Sequence, residues 1–573
     1  MDSKDYIAYF TMEIGLSEAM PTYAGGLGIL AGDTVRSAAD MGVPMIVVTL
    51  LHRKGYFNQK LDAAGWQSEE DVSWPVENLL QEMQPRCSIE IEGRSVQVRA
   101  WKHEVKGISG YIVPVFFLDT DIEENAELDR SITDHLYGGD QRYRICQEVV
   151  LGIGGVRMLR ALGYTEIKRF HMNEGHAALL TMELAYELSK QAWDVAYEEI
   201  PHKVRPEIQQ LIRAKCIFTT HTSVPAGHDK FPLELVHQVI TGYQGAFSEL
   251  EVAFSPNDEL NMTFLALENS HYVNGVAKSH GKVTQQMFSK YDIHSITNGV
   301  HAATWASPAM ILMFDEHIPG WRDDNASLRY ALNIPKSDIW RAHHTAKLAL
   351  FELVNKHTDD AFEPDVFTLG FARRAAVYKR AELLFWNTDR LIEIAHKVGT
   401  FQIIYAGKAH PQDSEGKEVI HRIHEVREKL KGKIKLVYLE NYDIDMAKLI
   451  TSGVDVWLNT PMPPLEASGT SGMKAAVNGV PSFSILDGWW MEGCIEGVTG
   501  WAIGNNHGEF ENRDTRPEDA EALYNKLEMV ILPMFYNEAD RYIEVMRHSI
   551  ALNASFFNTE RMLTQYISKA YFK

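Results

Sequence analysis

Residues 433–460 read KIKLVYLENYDIDMAKLITSGVDVWLNT, and this stretch decides the fold class. Its two ends are short apolar runs of the kind that form buried strands, and the segment between them has helical spacing. The same alternation continues on both sides, in VFTLGFA (366–372), AELLFWNTDRLIEIAHKV (381–398), FQIIYAG (401–407), EGKEVIHRIHEVREKLKG (415–432) and PSFSIL (481–486). Short buried strands joined by helices predict a parallel sheet with crossover helices, which is a Rossmann-like domain.

The first 300 residues contain similar pieces in a less regular order. The strand-like runs are YIAYFTM (6–12), VPMIVVTLL (43–51), YIVPVFFL (111–118), RFHMNEGH (169–176) and KCIFTTHTS (215–223). We therefore expect two α/β domains, residues 1–303 with insertions and residues 304–573, with the last helix packing back on the N-terminal domain. Two Rossmann-like domains that face each other leave a central cleft at the carboxyl ends of both sheets, where ligands bind in folds of this kind.

Composition excludes several classes of function. A net charge of −21 argues against general binding of nucleic acids, which requires a cationic surface. No segment approaches the roughly 18 unbroken apolar residues of a membrane span, and the acidic N-terminus is unlike a signal peptide, so we expect a cytoplasmic protein without a membrane partner. The four cysteines are far apart and no histidine cluster has metal-motif spacing, so we expect core thiols and no metal site.

Two segments predict an anion site in the cleft. In YAGGLGILAGDT (23–34), Gly25, Gly26 and Gly28 would let backbone N–H groups approach an anion before a helix, although a tight turn without a ligand explains the pattern equally well. In GFARRAAVYKR (370–380), the cations Arg373, Arg374, Lys379 and Arg380 directly follow a predicted core strand. Basic runs usually form a solvated helix face, but cations at the carboxyl end of a buried strand point to phosphate.

A third segment, EASGTSGMK (466–474), follows the predicted strand 454–460 and leads into a helix. Glu466 could bind sugar hydroxyls, and Thr470 could hold a phosphate. Lys474 is either an exposed helix residue, as most lysines are, or a desolvated amine able to form a Schiff base with an aldehyde. The polar clusters HMNEGH (171–176), THTS (220–223) and ITNG (296–299), each after a strand-like run, raise the expectation of a hydroxyl-rich ligand. The aromatic residues Tyr378, Tyr442 and Trp305 would suit sugar or ring stacking, although at an aromatic content of 10% such neighbours are expected by chance.

Together these segments resemble the α-glucan (glycogen, starch, maltodextrin) phosphorylase family, in particular its short bacterial and archaeal members. EASGTSGMK is similar to the family signature E-A-S-G-T-x-x-M-K, and YAGGLG, HMNEGH, THT, TNG, RRAAVYKR and LENY match in the expected order. The resemblance implies the two-domain glycosyltransferase B fold and reversible phosphorolysis of terminal α-1,4-linked glucose to α-D-glucose 1-phosphate with retention. It also implies pyridoxal 5′-phosphate as a Schiff base with Lys474, its 5′-phosphate serving as acid and base, and α-glucan and inorganic phosphate as partners; a homodimer is compatible with it.

The resemblance assigns roles to individual residues. It implies catalytic roles for Lys474, Arg374, Lys379 and His221. It implies cofactor contacts for Lys474, Thr470, Arg373, Tyr442 and Gly26. It implies substrate contacts for Glu466, Ser468, Gly469, His221, Asn298, Gly25, Gly26 and Tyr378.

Three residues depart from the pattern of well-studied members. Arg373 stands in place of a lysine, Asp443 in place of a basic residue of the animal enzymes, and Gly472 in place of an asparagine. The short chain leads us to expect no N-terminal phosphorylation switch of the animal kind.

Two rival functions stay open from the residues. One is a retaining sugar-nucleotide glucosyltransferase of the same fold, similar to glycogen or starch synthase. The other is a non-catalytic glucan-binding protein. The signature lysine argues against the first, and the retained phosphate-binding set argues against the second.

Overall fold

The computed structural model describes residues 5–193, 205–224, 227–241, 254–255, 257–358, 360–504 and 514–572. It is an α/β protein with two large sheets. The strands are β1 Tyr6–Thr11, β2 Met45–Leu50, β3 Asn58–Leu61, β4 Gln67–Glu70, β5 Gln81–Ile91, β6 Arg94–Lys106, β7 Ile112–Asp119, β8 Ile167–Asn173, β9 Cys216–Thr219, β10 Lys230–Pro232, β11 Phe254–Ser255, β12 Glu259–Asn261, β13 Tyr272–Gly275, β14 Ile293–Ser295, β15 Phe367–Ala372, β16 Phe401–Ala406, β17 Lys435–Leu439, β18 Val456–Asn459, β19 Ser482–Ile485 and β20 Gly500–Ile503.

The helices alternate with these strands along most of the chain. They are α1 Gly26–Asp40, α2 Val76–Leu79, α3 Glu127–Arg130, α4 Gln141–Val149, α5 Gly155–Ala161, α6 Leu180–Trp193, α7 Arg205–Lys215, α8 Leu233–Val239, α9 Met262–Glu268, α10 Lys278–Met287, α11 Ala302–Trp305, α12 Pro308–His317, α13 Lys336–Val354, α14 Thr388–Lys397, α15 Ser414–Leu430, α16 Ile444–Gly453, α17 Ser471–Val477, α18 Trp490–Gly493, α19 Arg516–Lys526, α20 Leu532–Asn537, α21 Ala539–His548 and α22 Thr559–Tyr566.

The second sheet confirms the fold predicted from residues 366–486. Its order is β17–β16–β15–β18–β19–β20, and every pairing is parallel. β15 and β16 are buried at every position, as strands covered by helices on both faces must be. Within the helical pattern of 381–398, Leu383–Phe385 forms a 3-10 turn and the α-helix begins at Thr388, where the side chain of Asn387 accepts from the N–H of Arg390 and caps it.

The first sheet has the order β14–β13–β9–β8–β1–β2–β7–β6–β5. The five strand-like runs of the first 300 residues form β1, β2, β7, β8 and β9, as predicted, and these pair in parallel. The antiparallel pair β5 and β6 at the edge was not predicted. Those strands carry polar and charged residues on alternate, more exposed positions, so they lack the continuous apolar run of a buried strand.

Several contacts join the parts of the chain that carry the two sheets. The hairpin of β3 and β4 reaches the second sheet, where Gln59 Nε2 donates to the carbonyl of Gly407 at 2.9 Å. At the end of the chain, α22 packs against α1, and the hydroxyl of Tyr571 lies 2.8 Å from Nδ1 of His171 in β8. The boundary between residues 303 and 304 stays a prediction.

Within the described ranges, no helix combines the length and the apolarity that crossing a bilayer requires.

Candidate active site

A buried carboxylate joins two of the predicted cations at the end of β15. Nη2 of Arg373 and Nζ of Lys379 each lie 2.7 Å from Oε2 of Glu466. Burial opposes ionisation of Glu466, but the two cations hold its pKa at about 2, so the side chain is a carboxylate. The structure therefore brings together residues that are 93 positions apart in the sequence.

Arg373 has unused hydrogen-bonding capacity. Its Nε and Nη1 atoms are buried and have no hydrogen-bond partner in the described part of the chain. Buried donors without partners are rare and costly, so an anion at this position would satisfy them. Arg374 is exposed, and its positive charge acts on Tyr56 and His410.

Lys474 is not the exposed helix residue of the alternative interpretation. It lies in α17 with only 7% of its surface exposed, and its Nζ is 3.9 Å from the centroid of the Trp305 ring. Burial lowers the pKa of the amine to about 8, against the opposing charge of Asp33. Nζ makes no hydrogen bond or ion pair to the described residues, so this is a desolvated, partly neutral amine.

Hydrogen bonds hold the residues around Lys474 in place. The indole N–H of Trp305 donates to Oδ2 of the buried Asp33 at 2.7 Å, which fixes the ring under the amine. The side chain of Asn478 donates to the carbonyls of Trp305 and Lys474 and ties α17 to this segment. Trp305 is fully buried, so its ring has no exposed face for a sugar, and its stacking on another ring stays a prediction.

The departure at Gly472 has a packing reason. A Cβ atom at this position would lie 2.8 Å from Ser482 Oγ and 2.8 Å from Cζ2 of Trp489. The large Trp489 side chain fills the space that a side chain at position 472 would need. Gly469 lies in the left-handed region with φ of +79°, and an added Cβ there would be 3.0 Å from Oε1 of Glu466.

The glycine-rich segment differs from its prediction. Helix α1 begins at Gly26, within the glycine-rich segment, and not after it as predicted. The N–H groups of Ala24 and Gly25 donate to Oε2 of Glu13 at 2.6 and 3.2 Å, so the amide of Gly25 already has a hydrogen-bond acceptor. Gly26 is exposed, and a Cβ there would meet nothing within 4 Å.

Tyr137 adds a further contact to this carboxylate, since its hydroxyl donates to Oε1 of Glu13 at 2.9 Å. This contact was not predicted, because one acid and one tyrosine 124 residues apart carry no local signal.

His221 and its neighbours follow β8 and β9. Nε2 of His221 is 2.7 Å from Oδ1 of Asn173, and its backbone N–H donates to the carboxylate of Glu174 at 2.7 Å. Burial lowers the pKa of His221 to about 3, so the imidazole is neutral. Since an amide oxygen only accepts, Nε2 carries the proton and Nδ1 is left as an acceptor.

Two further predicted substrate residues have buried polar atoms without partners. Oδ1 of Asn298 and Oγ of Ser468 form no hydrogen bond with the described residues. Orphaned acceptors and hydroxyls at the ends of parallel strands suit a ligand with several hydroxyl groups.

Tyr442 and Asp443 follow β17. Burial and the charge of Asp443 raise the pKa of Tyr442, against the charge of Arg373, so the phenol is neutral beside the cation site. Asp443 caps α16 by accepting from the N–H of Met446 at 2.8 Å. The departure at Asp443 therefore has a structural role, and the cation near it is Lys408.

Asp487 is a site residue that sequence analysis missed. It follows β19, and its Oδ2 accepts from the N–H of Glu466 at 2.9 Å. Burial and the charge of Glu466 raise the pKa of Asp487 to about 7. A single aspartate before a glycine is too common a pattern to have marked it.

A groove of about 1860 Å³ borders the site. Tyr378 and Leu465 line it from the second-sheet side, and Lys278 of α10 lines it from the other side. Arg373, Arg374 and Lys474 are not among its lining residues, so the groove lies beside the cation site. Tyr378 also contacts Lys379, whose Nζ is 4.3 Å from the centre of the tyrosine ring.

Two largely parallel sheets whose strand ends carry paired cations, orphaned polar atoms and a buried amine are the features of an α/β enzyme with its site at the ends of the strands. A family model described as carbohydrate phosphorylase matches residues 237–531. The chain is 39% identical to maltodextrin phosphorylase from Thermococcus litoralis, over 99% of this chain and 70% of that protein. It is 36% identical to glycogen phosphorylase from Mycobacterium tuberculosis, over 99% of this chain and 70% of that protein. It is 33% identical to glycogen phosphorylase from Aquifex aeolicus, over 100% of this chain and 86% of that protein. The chain belongs to the carbohydrate phosphorylase family.

Proposed function

We propose that this protein catalyses the reversible phosphorolysis of α-1,4-glucans, releasing α-D-glucose 1-phosphate from the terminal glucose with retention. The observation that carries the proposal is the meeting of Arg373, Lys379 and Glu466 at one point, with two guanidinium nitrogens left for an anion. The relatives named maltodextrin and glycogen phosphorylase, which match almost the whole chain, support an α-glucan as substrate.

Pyridoxal 5′-phosphate fits the residues of this site. The amine of Lys474 is buried, partly neutral and without a hydrogen bond, which suits reaction with an aldehyde. The free N–H groups of Arg373 and the hydroxyl of Thr470, whose side chain makes no capping hydrogen bond, suit a phosphate. Tyr442 would border the cofactor. When bound, the cofactor supplies a second phosphate group that can hold a proton and return it.

The cations of the chain offset the repulsion between two phosphate groups. Arg374 and Lys379 would bind the substrate phosphate, and the exposed N–H of Gly26 would face it from α1. Two anions in contact repel by about 4 kcal/mol at 4 Å for unit charges near a protein surface, so each added cation matters. Glu466 offsets one of the two positive charges of Arg373 and Lys379 until an anion binds them, and its carboxylate is then free to accept from sugar hydroxyls.

The glucosyl group would lie between the loop 466–469 and the ends of β9 and β14. Ser468 and Asn298 offer buried polar atoms without partners, and His221 offers Nδ1 as an acceptor. Because these groups are fixed by packing before a substrate arrives, they can stabilise charge without reorganising, and their burial keeps water from competing with phosphate.

The test has two parts. Purified protein loaded with pyridoxal 5′-phosphate should absorb as a lysine-bound pyridoxal, Lys474→Ala should lose this absorption, and the exposed Lys448→Ala should keep it. Loaded protein should then release glucose 1-phosphate from maltodextrin only when inorganic phosphate is present. Transfer from a nucleotide sugar with no phosphate-dependent release would identify the sugar-nucleotide glucosyltransferase instead.

A further inference from the structure

The turn that carries Asn298 is bound to the C-terminal end of the chain. Nη1 of Arg561 donates to the carbonyl of Thr297 at 2.6 Å, and Nη2 donates to the carbonyl of Asn298 at 2.9 Å. Nε of the same guanidinium donates to the carbonyl of Phe556 at 2.8 Å. One side chain of α22 therefore fixes two successive carbonyls of the turn. It is itself oriented by the carbonyl of Phe556, which precedes α22.

Backbone contacts strengthen this attachment. The N–H of Val300 donates to the carbonyl of Phe557 at 3.1 Å, and the carbonyl of Val300 accepts from the N–H of Thr559 at 3.0 Å. At Gly299, an added Cβ would lie 2.2 Å from the backbone of Asn558, so only glycine allows the two segments to approach this closely.

The turn is also held from the second-sheet side. The hydroxyl of Thr297 donates to both carboxylate oxygens of Glu492 at 2.9 and 3.0 Å, and Glu492 Oε1 accepts from the N–H of Lys278 at 2.9 Å. Glu492 is in α18, and the N–H of Trp489 just before this helix donates to the carbonyl of Ser468 at 2.9 Å. The turn and the loop 466–469 are therefore linked through α18.

We propose that Arg561 is a positioning residue for the glucosyl group, acting through Asn298, whose buried Oδ1 it places for the ligand. The inference rests on the proposed function, since it takes the glucosyl group as the ligand of Asn298. The main chain of Asn298 is fully bonded, with its N–H on the carbonyl of Val276 and its carbonyl on Arg561, while Oδ1 has no partner in the described residues. The main chain of Asn298 is therefore held in place by hydrogen bonds, while Oδ1 is left to accept a hydrogen bond from a ligand.

The test measures the affinity of α-D-glucose by calorimetry on cofactor-loaded protein without phosphate. Arg561→Gln should weaken glucose binding about tenfold, and Arg561→Lys, which keeps a charge and a donor, should recover part of the loss. In the synthesis reaction the KM for glucose 1-phosphate should rise, while in phosphorolysis the KM for inorganic phosphate should change less than twofold. Tyr571→Phe removes a different contact of the C-terminal end, the one with His171, and should leave glucose affinity unchanged.

A double variant decides whether Arg561 acts through Asn298. Asn298→Ala combined with Arg561→Lys should bind glucose no more weakly than Asn298→Ala alone. Three results would each overturn the proposal. They are additive losses of glucose affinity in the double variant, an equal loss in Tyr571→Phe, and unchanged glucose affinity in folded Arg561→Lys and Arg561→Gln. Failure of the proposed function is seen separately, as absence of glucose 1-phosphate release by the unmodified protein.

Discussion

The backbone N–H of Glu466 donates to Oδ2 of Asp487 at 2.9 Å, and the two buried carboxyl groups joined in this way have different charge states. The cations Arg373 and Lys379 hold the pKa of Glu466 at about 2, whereas burial and the charge of Glu466 raise the pKa of Asp487 to about 7. At neutral pH the first is a carboxylate and the second is half protonated. The local charge beside the loop 466–469 therefore depends on pH through Asp487.

Asp487→Asn should flatten the dependence of stability on pH. Because the folded-state pKa of Asp487 is raised, its contribution to stability is present below its unfolded pKa of about 4 and is lost as the pH rises to about 7. The variant has no such titration, although it leaves one amide without an acceptor and so loses about 1–3 kcal/mol at every pH. Urea unfolding from pH 4 to 8 measures the free energy of unfolding of both proteins. If that free energy changed with pH in the same way in both, the prediction would be contradicted.

Glu466→Gln should make the protein depend on phosphate for stability. Removing the carboxylate leaves Arg373 and Lys379 buried without their shared anion, which costs about 3 kcal/mol. Inorganic phosphate should then raise the Tm of the variant more than that of the unmodified protein, because the two cations are available to it. Chloride at matched ionic strength is the control, and equal shifts in both proteins would argue against competition between Glu466 and an anion.

Asp33→Asn should speed the loading of pyridoxal 5′-phosphate at pH 7. Burial lowers the pKa of Lys474 to about 8, and the charge of Asp33 acts in the opposite direction by raising it. Neutralising that charge therefore lowers the pKa further and increases the neutral fraction of the amine. Loading of the unmodified protein, followed by absorbance, should accelerate with a midpoint near pH 8. Asp443→Asn, whose carboxylate faces Lys408 and caps α16, is the matched control; a similar acceleration there would show that the effect is unspecific.

Arg374→Ala should raise the KM for inorganic phosphate about tenfold, which corresponds to about 1.4 kcal/mol, within the range of one charged hydrogen bond. The KM for maltodextrin should change less than twofold, because the exposed guanidinium follows β15 beside the proposed phosphate position. Arg427→Ala in α15 serves as the control for the loss of a surface charge. Equal rises in both constants for Arg374→Ala would remove its assigned role.

The parallel sheets were predictable because each core strand is a continuous apolar run with its own local signal. The run 401–407 and its neighbours became β16 and the strands beside it, while the polar β5 and β6 had no such signal. The candidate site was predictable only for those residues that lie in a recognisable sequence motif. Lys474 and Glu466 lie in one recognisable segment, but the partners that set their chemistry, Trp305 and Asp33 for the amine, come from distant positions that only the fold brings together.

The return of α22 to the first sheet also affects how the protein is made. Met562, Leu563, Tyr566 and Tyr571 belong to the same apolar core as Ile7, Val47 and Ile217. During synthesis the N-terminal half leaves the ribosome well before these side chains exist, so one face of its sheet stays uncovered until they have been made. Completion of the N-terminal core therefore waits for residues 559–571, and chains interrupted before residue 559 would expose an apolar surface suited to capture by chaperones.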